Sequence, residues 1–475
     1  MVAINSTSPL SWLTPAAIAH ATGGVVARTG EVAVRVVTDS RHIRPGDLDV
    51  ALRGERFDAH DFVPHALRAG AHGVLVDRDV DRARLPSTGF VVRVTDTARA
   101  LVQLAHEHRS RSAARVVGIT GSCGKTSTKD MLGFVLARAM GTVASPKSFN
   151  NQIGVPLSLL EIRPETRAAV IEIGTNGPGE IEMLTRCAEP DIGILTCVRE
   201  AHLAGLGDLE GIAREKASLF DGVRAGGLAI LNADDRACAR IAARLTTRKA
   251  LVRIGAPADW FATEVGFCGF GTTFRLNGER PVALPRLGSH NVYNALFCIA
   301  AAAELGVSPA MAIEALAVLP HSARRLEPRE VGNVRIIDDS YNMNPASARA
   351  ALHVLQCLEA EGRRILVFGG MRELGPQSAA LHEALGVELA AAGIDLFLAV
   401  GAEALPIAKG ARDAGMAADR IVTVGTVGEG IEFLRRTVGA GDAVLCKASR
   451  AVGLDSLVDG LVRELEGVAA PRSGG

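Results

Sequence analysis

Residues 115–128 decide how this chain is read: Arg115-Val116-Val117-Gly118-Ile119-Thr120-Gly121-Ser122-Cys123-Gly124-Lys125-Thr126-Ser127-Thr128. The stretch starts as an apolar strand, turns on glycines, and opens a helix after Gly124. Glycines let backbone N–H groups close around phosphate oxygens, and a helix N-terminus adds partial positive charge. Lys125 is placed to reach β- and γ-phosphates, and the Thr126 hydroxyl to ligate Mg²⁺. The strict G-x-x-x-x-G-K-T spacing would need glycine where Ile119 stands, so this loop is a variant whose second glycine is Gly121. Gly121, Ser122, Cys123, Gly124, Lys125, Thr126 and Ser127 are the expected ATP cradle, with Cys123 read as incidental rather than nucleophilic. Such a loop alone implies only nucleotide binding; switch proteins, transport ATPases, kinases and ligases all carry one.

Working outward, apolar runs at Ala168–Ile173, Asp191–Cys197 and Gly227–Leu231 read as buried parallel strands, with helices near 210–220 and 291–305. Pro320–Pro328 reads as a boundary. Beyond it, strands Val334–Asp338, Ile365–Phe368, Asp395–Val400, Ile421–Val424 and Ala443–Cys446 alternate with Ala-rich helices, the pattern of a doubly wound unit. Ahead of the loop, Val32–Thr38 reads as a strand and Asp61–Ala69 and Thr97–His108 as helices. The basic stretch His108–Arg115 reads as a linker. The expected architecture is α/β in three domains: a small N-terminal α/β domain (1–112), a central P-loop ATPase-type parallel sheet (113–319) and a C-terminal Rossmann-like domain (320–475). A length of 475 residues suits three domains.

The 52 basic and 52 acidic side chains cancel, which argues against a nucleic-acid or membrane-surface binder. Eight cysteines without a C-x-x-C pair read as reduced thiols. No signal peptide and no membrane-spanning run is apparent. A cytoplasmic monomer is expected, with Pro471–Gly475 disordered. Only seven of the basic residues are lysine: Lys125, Lys129, Lys147, Lys216, Lys249, Lys409 and Lys447. Arginine replaces a surface lysine, but not a compact ammonium or an amine that must lose its proton.

Further polar groups fall at strand ends. Glu172 stands at the carboxyl end of an expected parallel strand, where α/β sheets place ligands; it fits a metal ligand or an edge carboxylate. His202 follows the next strand and fits a ligand or a structural histidine. Lys216, on composition alone, is a solvated helix lysine. His290, Asn291 and Asn294 open a helix, as ligand-binding amides or as an elaborate cap. Arg324-Arg325 lies at the second boundary, where an arginine can clamp phosphate. Asp339-Ser340-Tyr341-Asn342-Met343-Asn344 forms a polar loop after a strand.

In this order the motifs resemble the Mur ligase family. The matching segments are the phosphate loop, Asn150–Pro156, the Glu172 turn, Ala201-His202-Leu203, the Lys216 helix, the His290–Asn294 helix and the Asp339 loop. Within it, Asp39-Ser40-Arg41, Ala51–Phe62, Met371–Gly375, His382 and Lys447–Arg450 resemble the branch that adds D-alanyl-D-alanine to UDP-MurNAc-tripeptide. The resemblance implies ATP-dependent amide bond formation through an acyl phosphate. It implies catalytic Lys125, His202 and Lys216, the last carbamylated by CO₂. It also implies Mg²⁺ on Thr126, Glu172, His202 and the carbamate, and ATP against Asn291, Asn294, Asp339 and Arg325, with Arg324 as the alternative clamp. UDP-substrate would meet Ser40, Arg41, Asp58 and His60. The dipeptide would lie near Tyr341, Asn342, Asn344, Lys447, Ser449 and Arg450. Three departures stand out: Asp49 replaces a usual Phe, Gly370 a usual Asp, and Ala448 a usual Gly. The ligase that adds the third stem residue is the nearest alternative, but the chain has no Asp-Asn-Pro-Arg segment. Folylpolyglutamate synthase usually has Gly-Lys-Gly at the loop. A P-loop regulator that makes no bond would not need a second metal site.

Overall fold

The computed structural model describes residues 10–54 and 57–469. Part of the N-terminal motif (Glu55, Arg56) and the tail Pro471–Gly475 lie outside the described residues. Three sheets organise the chain. In the first, Phe90–Arg93, Gly73–Val76, Asp47–Val50 and Arg35–Val37 run parallel in that order, and Val25–Arg28 pairs antiparallel with Phe90–Arg93.

The central sheet has nine strands. Arg115–Thr120 sits between Ile192–Leu195 and Ala168–Glu172, parallel to both. The chain first fills one side of it, with Thr142–Ala144 and Ala168–Glu172, and then the other, with Ile192–Leu195, Leu228–Asn232 and Arg248–Ile254. A crevice opens where the winding changes side, at the carboxyl end of Arg115–Thr120. Trp260–Cys268, Gly271–Leu276 and Arg280–Leu284 extend the sheet, the last two by antiparallel pairing. No motif marks these three strands, although Phe274, Leu276, Val282 and Leu284 are buried in alternation with exposed neighbours, the period of a half-buried strand.

In the third sheet Val334–Asp339, Ala443–Lys447, Arg364–Phe368, Leu396–Val400 and Ile421–Val424 run parallel, with Glu327–Val331 antiparallel at the edge. Apolar clusters cover both of its faces, as a doubly wound sheet requires. One face of the central sheet is covered by helices Lys125–Ala137 and Ser289–Glu304. The other face shares a continuous core with the N-terminal domain: Leu48, Val50, Leu101 and Leu104 join Val155, Leu159, Ile181 and Leu184.

Two expectations need correction. His108–Arg115 is not a linker, because the helix Thr97–Ser110 runs into it. Arg109 is fully buried and donates to the carbonyls of Ala188 (2.9 Å), Ala114 (3.1 Å) and Glu189 (3.1 Å) while pairing with Asp191. Those carbonyls replace the water a linker arginine would keep. Asp61–Ala69 is not one helix: a tight turn, Ala59–Phe62, precedes Val63–Arg68, which has proline in its first turn. Asp49, on strand Asp47–Val50, is 1% exposed, and neither carboxylate oxygen has a hydrogen-bond partner. No helix among the described residues is long and apolar enough to cross a membrane.

Candidate active site

The phosphate loop needs its glycines. Gly121 and Gly124 have φ of +149° and +83°. A Cβ at Gly124 would stand 2.6 Å from Asn294 Oδ1, and one at Gly121 would strike the Thr196 hydroxyl. Ser122 Oγ donates to the Arg199 carbonyl (2.8 Å) and accepts from its N–H (2.9 Å), pinning the loop to the turn after strand Ile192–Leu195. Lys125 folds back, its Nζ 2.7 Å from the Gly121 carbonyl, and Ser127 follows it on the first turn of the helix.

Glu172 ends its strand at 1% exposure. Oε1 accepts from Asn150 Nδ2 at 2.8 Å, while buried Oε2 has no hydrogen-bond partner. His202 has a left-handed backbone (φ 57°), and its Nδ1 lies 2.7 Å from Glu373 Oε2 of the third domain. That contact holds the Glu373 carboxyl below its ordinary range. Lys216 is 1% exposed on helix Leu209–Ala217. Burial first, then the positive charge of Lys125, lowers its pKa to about 7. The solvated-lysine reading is therefore overturned.

Asn291 and Asn294 are buried at 4% and 3%. Asn294 Nδ2 donates to Asn291 Oδ1 (3.0 Å), Asn294 Oδ1 accepts from Thr128 Oγ1 (3.1 Å), and Asn291 Nδ2 donates to the Leu287 carbonyl (2.8 Å). The amides tie helix Ser289–Glu304 to the phosphate-loop helix. His290, half-buried beside them, is pushed down to about 4, chiefly by loss of solvent around its ring.

The third domain closes the crevice. Arg325 Nη2 donates to Thr126 Oγ1 at 3.0 Å, and its guanidinium lies 4.1 Å over the Tyr341 ring. Arg450 reaches the same ring at 5.4 Å. Arg324 turns away (φ 59°) to Asp455 and Asp459 of the last helix, so Arg325 is the arginine at the phosphate loop. Tyr341 Oη donates to Ser148 Oγ at 2.7 Å, and Asn344 caps helix Pro345–Cys357 with its amide 3.3 Å from Cys123 Sγ. Asp339 and Lys447 are paired residues on adjacent strands and meet as an ion pair at 2.6 Å; Lys447 also donates to the Asn342 carbonyl. Ser449 accepts from the Arg372 N–H at 2.9 Å. Ser148, Asn150 and Glu373 were not predicted as site residues. Asn150 lay in a quoted motif, and Glu373 in another, but nothing in the sequence marks Ser148.

In the N-terminal domain, Arg41 is exposed and pairs with Asp39, whose carboxyl is held at about 2 first by that hydrogen bond. Ser40 sits in the same turn. His60 is buried between Asp58 (2.6 Å) and the N–H of Asp77 (3.1 Å). Its ring shapes the Asp58 loop, with both nitrogens engaged.

A phosphate loop in one domain, completed by an arginine from the next and backed by a buried carboxylate, is the arrangement of an ATP-dependent ligase. Three family models match: Mur ligase family, catalytic domain (residues 34–109), Mur ligase middle domain (119–302), and Mur ligase, glutamate ligase domain (324–450). The UDP-N-acetylmuramoyl-tripeptide–D-alanyl-D-alanine ligase of Bacillus subtilis is 35% identical, covering 90% of this chain and 93% of its own. The enzyme of the same name from Escherichia coli is 40% identical over 77% and 81%. MurF from Acinetobacter baumannii superposes with a TM-score of 0.88 at 33% identity, over 96% of this chain and all of that one. MurF from Thermotoga maritima, in complex with ADP, gives 0.81 at 28%, over 91% and 98%. The chain belongs to the Mur ligase family, as a ligase of the MurF type.

Proposed function

We propose that this chain joins D-alanyl-D-alanine to UDP-MurNAc-tripeptide, consuming ATP and releasing ADP and phosphate, in peptidoglycan precursor synthesis. The observation that carries the reading is the Arg325–Thr126 bond, by which one domain completes the nucleotide cradle of another. We assign residues 1–112 to the UDP-substrate, 113–319 to ATP and 320–475 to the dipeptide.

The tripeptide carboxylate attacks the γ-phosphorus, the bond to the β-phosphate oxygen breaks, and an acyl phosphate forms. The dipeptide amine then attacks the acyl carbon, loses a proton, and phosphate departs. The first step sets an anion against a triphosphate, so fixed cations lower its barrier. Lys125 of the phosphate loop and Arg325 of the C-terminal domain supply them. The acyl phosphate is open to hydrolysis, which a closed cleft would slow; Tyr341, Asn344 and Glu373 bridge the central and C-terminal domains there. Ser40 and Arg41 would meet the diphosphate side of the UDP-substrate. Tyr341, Asn342, Ser449 and Arg450 would border the dipeptide, and the Asp339–Lys447 pair would fix the loop between the two sites.

The donor set fits magnesium. The free Oε2 of Glu172 and the Thr126 hydroxyl are hard oxygen ligands, and magnesium keeps phosphate and water for its remaining positions. Accordingly, no ready-made cluster of three His, Cys, Asp or Glu side chains occurs among the described residues. When bound, the ion neutralises charge on the transferring phosphoryl group. His202 would join it after leaving Glu373. A carbamate on Lys216 fits as well: its amine is buried, has a pKa of about 7, and makes no hydrogen bond among the described residues. A neutral amine attacks CO₂, and arginine offers none. The test is phosphate release that requires both UDP-MurNAc-tripeptide and D-alanyl-D-alanine. Release with either substrate alone would overturn the reading.

A further inference from the structure

Lys129 lies one turn beyond Lys125 on the same helix, yet its side chain goes elsewhere. It is 2% exposed, and its Nζ meets three oxygens: the carbonyls of Ser145 (2.9 Å) and Lys147 (2.7 Å) and the carboxylate of Asp130 (2.7 Å). An ammonium has three donors and no acceptor, so the set is complete. A planar guanidinium cannot aim at three oxygens around one nitrogen.

The two carbonyls belong to a loop, residues 145–151, that touches the site at every step. The Ser145 hydroxyl accepts from the Glu172 N–H at 3.2 Å. Lys147 takes a left-handed backbone (φ 50°) to turn the chain. Ser148 Oγ, next along, lies 3.4 Å from Thr126 Oγ1 and accepts from Tyr341 of the third domain. Asn150 holds one oxygen of Glu172, leaving the other free. Meanwhile the second oxygen of Asp130 accepts from Ser322 at 3.3 Å, in the segment leading to the third domain. One buried ion pair thus fixes the loop at one end and touches the interdomain segment at the other.

We propose that Lys129, with Asp130, is a positioning residue of the ligase reaction: it fixes loop 145–151 so that Asn150 presents Glu172 to the magnesium site while Ser148 receives Tyr341. The inference rests on the reading above for its metal and its reaction. Support residues behind a metal ligand typically change metal affinity or activity about 10- to 100-fold.

The test compares ADP binding by calorimetry, with and without magnesium, in the wild type and in Lys129→Met, Lys129→Arg and Asn150→Ala. Metal-free ADP should bind all four within about 3-fold, because the phosphate loop is untouched. The strengthening by magnesium should fall about 10-fold or more in each variant. In turnover, the KM for magnesium-ATP should rise by a similar factor, so that kcat/KM falls at least as far. The Lys129→Met, Asn150→Ala double variant should lose no more than either single one, as expected of residues acting through one loop. An unchanged magnesium gain, or full rescue by arginine, overturns the proposal. Should Lys129→Met not fold, Asn150→Ala decides alone, and an unaltered magnesium gain there is a refutation. Because ADP titration needs no ligation, absence of wild-type turnover would count against the reaction and not against this assignment.

Discussion

Asp49 gives the sharpest stability prediction. Its carboxyl is buried without a partner on strand Asp47–Val50. Burial first, then the nearby charges of Asp39 and Asp47, raises its pKa from 3.8 to about 7. A raised acid binds its proton more tightly in the folded state. Its contribution is therefore fully present below about pH 3.8 and is lost as pH rises through about 7. At roughly 1.36 kcal/mol per unit, the whole loss is about 4 kcal/mol, of which about 2.3 kcal/mol falls between pH 5 and pH 7. Asn keeps the shape and cannot titrate. Equilibrium urea unfolding of wild type and Asp49→Asn at pH 5, 6, 7 and 8, followed by N-terminal-domain signals, measures the difference directly. The variant should gain on the wild type by about 1.4 kcal/mol per unit up to pH 7, then level off. Parallel pH profiles for the two proteins would refute the reasoning, because they would mean that Asp49 finds a partner or water in solution.

Three further outcomes are expected. Arg325→Ala should lower kcat by about 10²-fold or more, as for loss of a preorganised transition-state donor, whereas Arg324→Ala should leave kcat near wild type and lower the melting temperature instead. Gly124→Ala should weaken ADP binding by more than 10-fold in calorimetry, since both the positive φ and the 2.6 Å approach to Asn294 forbid a methyl group. Lys216→Ala should cripple turnover, and acetate should partly restore it by supplying the missing carboxylate; full activity without acetate would remove the carbamate from the mechanism.

Local chemistry was legible in the sequence. The strand–loop–helix at 115–128, the carboxyl-end position of Glu172 and the arginine at the domain boundary all follow from periodicity and position. What stayed hidden depends on tertiary pairing. Choosing between Arg324 and Arg325 required their partners: Asp455 and Asp459 for one, Thr126 for the other. Asp339 and Lys447 were placed in separate sites, because nothing in a linear chain reveals that their strands lie side by side. Asn291 and Asn294 have the right chemistry for a ligand, yet burial spends that chemistry on each other and on Thr128. Ser148 has no signal of its own and becomes a site residue only because Lys129, buried and far from obvious, holds its loop against Thr126 and Tyr341. Lysine scarcity pointed at Lys125 and Lys216 through motifs, but Lys129 needed its three oxygens to be seen.

The shared core beneath the first two sheets has a thermodynamic meaning. Leu101 and Leu104 of helix Thr97–Ser110 pack with Ile181 and Leu184 across what would otherwise be a seam, and Arg109 stitches its edge. Cutting the chain there would expose apolar faces on both halves and strand a buried guanidinium. The N-terminal and central sheets should therefore melt as one cooperative block, with the C-terminal sheet as a second. Scanning calorimetry should resolve two transitions rather than three, and limited proteolysis should nick the chain near the Pro320–Leu326 segment before it cuts near residue 112.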